Sequence, residues 1–363
     1  MPIDSHISGQ EENAMLIMIK PNADEAQVAA IKSCVEDLGL RAIESQIRKQ
    51  LAIAAIGDQG IAPNGFIESL PGVEHVLPIH KQYKLASREF HPDNRVVSVR
   101  HIPIGGDAIQ VIAGPCSVET PEQMLAAAAG AMTAGASLLR GGAFKPRTSP
   151  YSFQGMEEEG LKYLADAARP HGMPVVTELM DPRDIDLFLK YGVDVIQIGT
   201  RNMQNFRLLK EVGQLQVPVI LKRGLSATIK EWLMAAEYIA AQGNLNIILA
   251  ERGVRSFEPA YRNMLDVSAI PYLKRETHLP VIVDPSHAGG AAWMVPALSL
   301  AAIAAGADGL MIECHPNPAQ AWSDGEQALT PQELHALTRQ VAAVAQASGR
   351  AYGQPLIDLP RAS

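Results

Sequence analysis

Cys116, His287, Glu313 and Asp324 lie far apart in this chain, yet they are residue types that bind a borderline metal, and they stand at or beyond the ends of apolar runs. The first run is Val111-Ile-Ala-Gly-Pro-Cys-Ser-Val-Glu119, which breaks at a Gly-Pro turn carrying Cys116. A thiolate there serves as a soft ligand or as a nucleophile. His287 follows the run 281–284, Glu313 closes the run 309–313, and Asp324 lies beyond it in Trp322-Ser-Asp-Gly325. Mixed S, N and O donors hold a divalent first-row metal, here Mn, Fe, Co or Zn, and leave a position for water or substrate. Singly, each has a plainer reading: a small buried hydrophobe for Cys116, a satisfied loop histidine for His287, a turn former before Gly325 for Asp324. Their joint placement favours the metal.

Cations gather at the same kind of position. Arg140, Arg201, Lys222, Arg223 and Arg252 stand at or just past the ends of further runs. Gly141-Gly-Ala-Phe-Lys-Pro-Arg-Thr148 adds Lys145 and Arg147 on a loop whose glycines let backbone approach a ligand. Forked guanidinium groups and compact ammonium charges in one mouth suit a substrate bearing carboxylate or phosphate. Arg201 or Arg223 could equally pair with a carboxylate elsewhere, whereas Lys222, closing an apolar strand, needs a partner. Glu178 and His315 also end runs. A Schiff-base aldolase built on Lys222 is the alternative chemistry, but it leaves four ligand-type residues without a purpose.

Bringing these groups together requires a fold that collects strand ends. Apolar runs at 109–113, 137–140, 175–179, 195–198, 219–222, 247–250, 281–284 and 309–313 alternate with helical patterns at 121–134, 157–171, 184–191, 228–241, 267–276, 293–305 and 331–347. Strands buried on both faces read as such runs, and eight βα units over about 240 residues close a (β/α)8 TIM barrel, with its chemistry at the C-terminal strand ends. The rival is a doubly wound open sheet, but no Gly-x-Gly-x-x-Gly fingerprint follows any strand. Ahead of the barrel, strand-like 16–19, helical 25–38, strand-like 50–56, a short helix at 67–70 and a closing strand at 73–79 give the β-α-β-β-α-β order of a small ferredoxin-like α+β domain. The expected organisation is a leader over 1–12, the ferredoxin-like domain over 13–80, a docking linker over 81–108, the catalytic barrel over 109–348 and a tail over 349–363.

Composition agrees. The 363 residues suit one large domain with a smaller one. A net charge of −8 disfavours general nucleic-acid or anionic-membrane binding. There is neither an apolar run of about 18 residues nor a basic-then-apolar N-terminal signal. Cys34, Cys116 and Cys314, an odd set without a CxxC, argue against a disulfide framework and for a reducing compartment, the cytoplasm.

Ala113-Gly-Pro-Cys-Ser117, Leu139-Arg-Gly-Gly142, Lys145-Pro-Arg-Thr-Ser-Pro150 and Asp284-Pro-Ser-His287 are specific as a set. Pro150-Tyr-Ser-Phe-Gln-Gly155, Ile198-Gly-Thr-Arg-Asn202, Leu221-Lys-Arg-Gly224 and Ala250-Glu-Arg-Gly253 extend it. With these segments the chain, from about Met15 to about Ala347, resembles the 3-deoxy-D-arabino-heptulosonate 7-phosphate (DAHP) synthases, in the subclass with an N-terminal ferredoxin-like domain. Thr200 stands where relatives often carry a smaller residue. The resemblance implies a condensation of phosphoenolpyruvate with D-erythrose 4-phosphate and water that releases phosphate, the first step of the shikimate pathway. It implies that Cys116, His287, Glu313 and Asp324 hold a divalent metal and that Arg140, Lys145, Arg201, Lys222 and Arg252 hold phosphoenolpyruvate. Lys145, Pro146, Arg147 and Thr148 would receive erythrose 4-phosphate, with catalytic roles for Lys145, Lys222, Glu178 and His287. It also implies feedback control by an aromatic amino acid, Tyr or Phe, acting on the N-terminal domains of a homotetramer. The neighbouring 3-deoxy-D-manno-octulosonate 8-phosphate synthases use arabinose 5-phosphate, and their loop reads Lys-Ala-Asn-Arg where this chain has Lys145-Pro-Arg-Thr148. A catalytically idle effector-binding protein is the remaining alternative, and the intact set of mouth residues argues against it.

Overall fold

A computed structural model describes residues 14–57, 64–147 and 149–354, so the leader over 1–12, Thr148 and the last part of the tail lie outside the described residues. The chain forms two compact units that divide between Asp93 and Asn94.

In the first unit, strands β1 (Ala14–Ile19), β2 (Arg41–Ile47), β3 (Gln50–Ile56) and β4 (Val73–Ile79) form an antiparallel sheet in the order β2-β3-β1-β4. Helices Glu25–Asp37 and Asn64–Glu68 complete the β-α-β-β-α-β order of a ferredoxin-like domain. Every residue of β1 is buried. Met15, Ile17 and Ile19 pack with Ile31 and Val35 of the first helix and with Ile53, Ile67 and Val76. Asp24 starts that helix by accepting from the Gln27 backbone N–H, and Gln27 returns the bond in a capping box. β2 is largely polar because it is an edge strand. It turns into β3 through Arg48 and Lys49, both left-handed (φ 49° and 69°), as a two-residue hairpin loop requires.

In the second unit, β7 (Ala108–Gly114), β8 (Leu138–Arg140), β9 (Val175–Glu178), β10 (Val195–Ile198), β11 (Val219–Lys222), β12 (Ile247–Glu251), β13 (Val281–Val283) and β14 (Gly309–Glu313) pair in parallel and in sequence order. β14 then pairs with β7, from Gly309 opposite Gln110 to Glu313 opposite Gly114, and closes the barrel. Ile112, Leu138, Val176, Ile220, Ile248, Ile282 and Met311 fill its interior. The helices start as the sequence dictates: Thr120, Thr228 and Thr330 cap Pro121–Thr133, Ile229–Ala240 and Pro331–Ala347, and Pro121 and Pro331 occupy first-turn positions where no N–H is needed.

Besides β2, to which the sequence reading assigned no run, three elements were not anticipated. The segment read as a linker contains a hairpin, β5 (Val97–Val99) with β6 (Ile102–Ile104), whose Val97, Val99, Ile102 and Ile104 join the barrel's interior cluster. Arg100 at its turn binds Asp194 through two hydrogen bonds of 2.6 and 2.8 Å, just ahead of β10. The hairpin therefore caps the N-terminal end of the barrel. A helix at Phe206–Gly213 fills the connection between β10 and β11. In the tail, β15 (Ala351–Tyr352) pairs in parallel with Ala108 and Ile109, and Arg350 binds the Ala307 carbonyl and Asp308.

Candidate active site

The barrel collects the strand-end residues around one cavity of about 520 Å³. Cys116, Arg140, Lys145, Pro146, Arg147 and Glu178 line it, together with Arg201, Lys222, Arg252, His287 and Asp324. Arg140 and Glu178 end β8 and β9, Lys222 ends β11, and Arg252 and Asp284 follow β12 and β13 directly. Two glycines make the crowding possible. A side chain at Gly142 would collide with Lys145 Nζ and the Cys116 carbonyl, and one at Gly199 would collide with Glu178 Oε1.

At the floor, one ligand atom from each of Cys116, His287, Glu313 and Asp324 lies within 4.8 Å of the others. Cys116 Sγ donates to Asp324 Oδ2 at 3.2 Å. Burial, with the Glu313 charge adding to it, pushes the Cys116 thiol up to about 11. Burial opposes the charge of Glu313 as well, but the imidazolium form of His287 and the Arg140 guanidinium beside it lower its carboxyl. His287 Nδ1 donates to Asp284 Oδ2 at 2.7 Å, and burial lowers the ring's pKa from its ordinary value, so in the neutral ring Nε2 carries a lone pair, and it faces Glu313 Oε1 at 3.3 Å. Two lone-pair atoms that face each other without a proton between them suit a shared cation, and the donor set therefore fits a divalent metal.

Other side chains hold these four in place. Arg140 Nη1 donates to Glu313 Oε1 at 2.8 Å, and Gln327 Nε2 donates to Glu313 Oε2 at 2.6 Å. Arg262 fixes the Gln327 amide through Oε1 at 2.7 Å and lies 3.6 Å from Asp324 Oδ1. Asp324 adopts a left-handed backbone (φ 53°), a region aspartate tolerates better than most residues. Glu119 steadies its loop by accepting from the Trp322 N–H at 2.7 Å, and His315 approaches Glu119 at 3.4 Å, so His315 serves the loop and does not line the cavity.

Among the described residues no carboxylate pairs with Lys145, Arg147, Arg201, Arg252 or Arg255, all of which line the cavity. Lys145 Nζ reaches Cys116 Sγ at 3.2 Å and also bonds the Cys116 carbonyl. Arg147 Nε donates to the Phe153 carbonyl, and its buried Nη2 has no partner among the described residues. Burial lowers Arg252, which is 5% exposed. Lys222 does have a partner, Asp284, at 2.5 Å. Arg223 is turned away from the cavity and pairs with Glu251 and Asp266, both at 2.9 Å. Glu178 Oε2 accepts from Gln197 Nε2 at 3.0 Å. Sequence reasoning missed Arg255, Arg262, Gln197 and Asn263 of the lining. Arg255 and Arg262 were within reach, because they lie on the loop that Arg252 begins.

The model of the DAHP synthetase I family matches residues 84–348, and that of the DAHP synthase ferredoxin-like domain matches residues 15–81. The chain is 46% identical over 335 residues to the phospho-2-dehydro-3-deoxyheptonate aldolase of Thermotoga maritima, covering 92% of this chain and 99% of that protein. A crystal structure of the DAHP synthase of that organism matches with a TM-score of 0.74 at 45% identity, covering 94% of this chain and 99% of the other. The 2-dehydro-3-deoxyphosphooctonate aldolase of Methylococcus capsulatus is 33% identical over 246 residues, 62% of this chain and 85% of that protein. A family match across the barrel, a second across the small domain and identity along nearly the whole chain show that this enzyme belongs to the DAHP synthetase I family, in the group that carries a ferredoxin-like domain.

Proposed function

We propose that the barrel condenses phosphoenolpyruvate with D-erythrose 4-phosphate and water to give DAHP and inorganic phosphate. The observation that carries this reading is the convergence of four ligand atoms beside cavity-lining cations that have no carboxylate partner among the described residues. Arg140, Lys145, Arg201, Lys222 and Arg252 supply the charge to hold the carboxylate and phosphate of phosphoenolpyruvate. Lys145, Pro146 and Arg147, with Thr148 beyond the described residues, supply the loop for the sugar phosphate. Cys116, His287, Glu313 and Asp324 would hold a divalent metal, which when bound polarises the sugar aldehyde.

The methylene carbon of phosphoenolpyruvate bonds to the aldehyde carbon, and the aldehyde oxygen takes a proton. Lys145, which lies 3.2 Å from Cys116 Sγ, is placed to deliver it. Water adds to the adjacent carbon and yields its proton to Glu178, which together with Asp324 supplies the carboxylates of the lining. The carbon–oxygen bond to phosphate then breaks as the new hydroxyl becomes the ketone and gives its proton to the departing phosphate, whose charge Lys222 and Arg252 offset. His287 takes part as a ligand whose ring Asp284 orients.

Phosphate release tests the reading, measured with erythrose 4-phosphate and in parallel with arabinose 5-phosphate, with and without chelator. Metal-dependent turnover of the four-carbon sugar alone is expected. Turnover of the five-carbon sugar alone moves the function to that of the octulosonate relatives, and no turnover of either defeats the reading. The variant Arg147→Ala should raise the Michaelis constant for the sugar phosphate about 10- to 100-fold with kcat much less affected, since it removes binding shared by ground and transition states. An unchanged constant would clear Arg147 of that role.

We further infer that the ferredoxin-like domain binds Tyr or Phe as a feedback inhibitor, that the chain works as a homotetramer, and that it resides in the cytoplasm. The family match over 15–81 supports the first two, and the three free cysteines support the third. Among the described residues no helix is long and apolar enough to cross a membrane.

A further inference from the structure

Asp284 is fully buried, does not line the cavity, and is neither a metal donor nor a substrate contact in the reading above. Yet one of its oxygens is shared. Oδ2 accepts from Lys222 Nζ at 2.5 Å and from His287 Nδ1 at 2.7 Å, while Oδ1 takes the His287 backbone N–H at 2.9 Å. Lys222 belongs to the anion-binding wall and His287 to the metal cluster. We propose that Asp284 is a positioning residue that couples the two sites, so that phosphoenolpyruvate tightens metal binding and metal tightens phosphoenolpyruvate binding. The inference rests on the assignment of both ligands to this cavity.

The frame around Asp284 is rigid. It caps the short helix Pro285–Gly289, with Pro285 fixing the first turn. Ser286 Oγ accepts the Glu313 N–H at 3.0 Å, which ties that turn to the end of β14. Coupling therefore needs no movement of the backbone and travels through the shared oxygen. When an anion draws the Lys222 ammonium toward the cavity, the shared oxygen leans on the His287 N–H. A carboxylate that accepts more fully from one ring nitrogen makes the other a better metal ligand. In the opposite direction, a cation on Nε2 strengthens the Nδ1–H as a donor, claims the shared oxygen and releases Lys222 for the anion. Linkage requires the same factor both ways.

The test is the dissociation constant of Mn²⁺, measured by competition with a fluorescent chelator, in wild type and Asp284→Asn, each with and without saturating phosphoenolpyruvate. In wild type, phosphoenolpyruvate should tighten Mn²⁺ about tenfold. In the variant, Mn²⁺ alone should bind about 10- to 100-fold more weakly, and the effect of phosphoenolpyruvate should shrink to the small factor that direct attraction between the two ligands provides. A variant that weakens metal yet keeps the wild-type factor within twofold reduces Asp284 to an ordinary orienting group and overturns the inference. So does a factor of one in wild type, which needs no variant. If the Asn variant does not fold, Asp284→Glu takes its place: it keeps the charge but displaces it by one methylene, and full coupling there also overturns the inference. Failure of either probe to bind wild type overturns the site assignment, and the inference with it.

Discussion

Cys116→Ala should lose metal and turnover together, with activity falling by about a thousandfold or more. The thiol is 7% exposed, and its Sγ is one of four donors within 4.8 Å of one another, so the variant keeps three. It also removes the partner that reaches Asp324 Oδ2 at 3.2 Å, which loosens a second donor already held in a left-handed conformation. Lys145 is affected less, because its bond to the Cys116 backbone carbonyl survives the loss of Sγ. The substitution thus separates metal loss from lysine loss. Deleting one buried sulfur costs about 1–2 kcal/mol, which a stability of about 5–15 kcal/mol tolerates, so the variant should be purified folded. Metal content of the purified protein and phosphate release at saturating added metal are the measurements. Full turnover by Cys116→Ala in the presence of chelator would remove Cys116 from the ligand set.

The barrel was legible because its strands are buried on both faces, and each therefore appears as a short apolar run that a charge or a Gly-Pro turn interrupts. Eight such interruptions located Cys116, Arg140, Glu178, Arg201, Lys222, Arg252, His287 and Glu313 without any knowledge of the interior. The same rule left Arg223 open between the mouth and a carboxylate elsewhere, and the carboxylates hold it. It follows Lys222 immediately, and the two-residue alternation of a strand sends consecutive side chains to opposite sides, so Arg223 meets Glu251 and Asp266. Gln327 and Glu119 were invisible for a different reason. Their roles arise from pairings between distant loops, such as Arg262 with Gln327 and Glu119 with Trp322, which leave no local spacing in the sequence. Strand β2 escaped because an edge strand can be polar on most positions. The hairpin β5–β6 escaped because its strands are three residues each and stand in a charged stretch, although Val97, Val99, Ile102 and Ile104 do alternate with polar or exposed neighbours.

That hairpin sets where the chain can be cut. A chain that begins at Asn94 keeps β5 and β6, and it should fold, release phosphate at close to the full-length rate and lose inhibition by Tyr or Phe. A chain that begins at Ile102, a cut suggested by reading 81–108 as linker, removes Val97 and Val99, which are 0% and 1% exposed. Burying a valine contributes about 1.5–3 kcal/mol, so the loss of both is roughly 3–6 kcal/mol before any other contact is counted. Ile102 and Ile104 also lose the strand that pairs with them, and Asp194 loses the two hydrogen bonds from Arg100. Against a stability of about 5–15 kcal/mol, this leaves the barrel marginal. The shorter chain should melt about 10 °C or more below the longer one, or fail to stay in solution, by circular dichroism and by recovery after centrifugation. Equal melting temperatures would show that the hairpin lies on the barrel without belonging to its core. Inhibition that persists in the chain beginning at Asn94 would place the effector site in the barrel itself and defeat the regulatory reading of the ferredoxin-like domain.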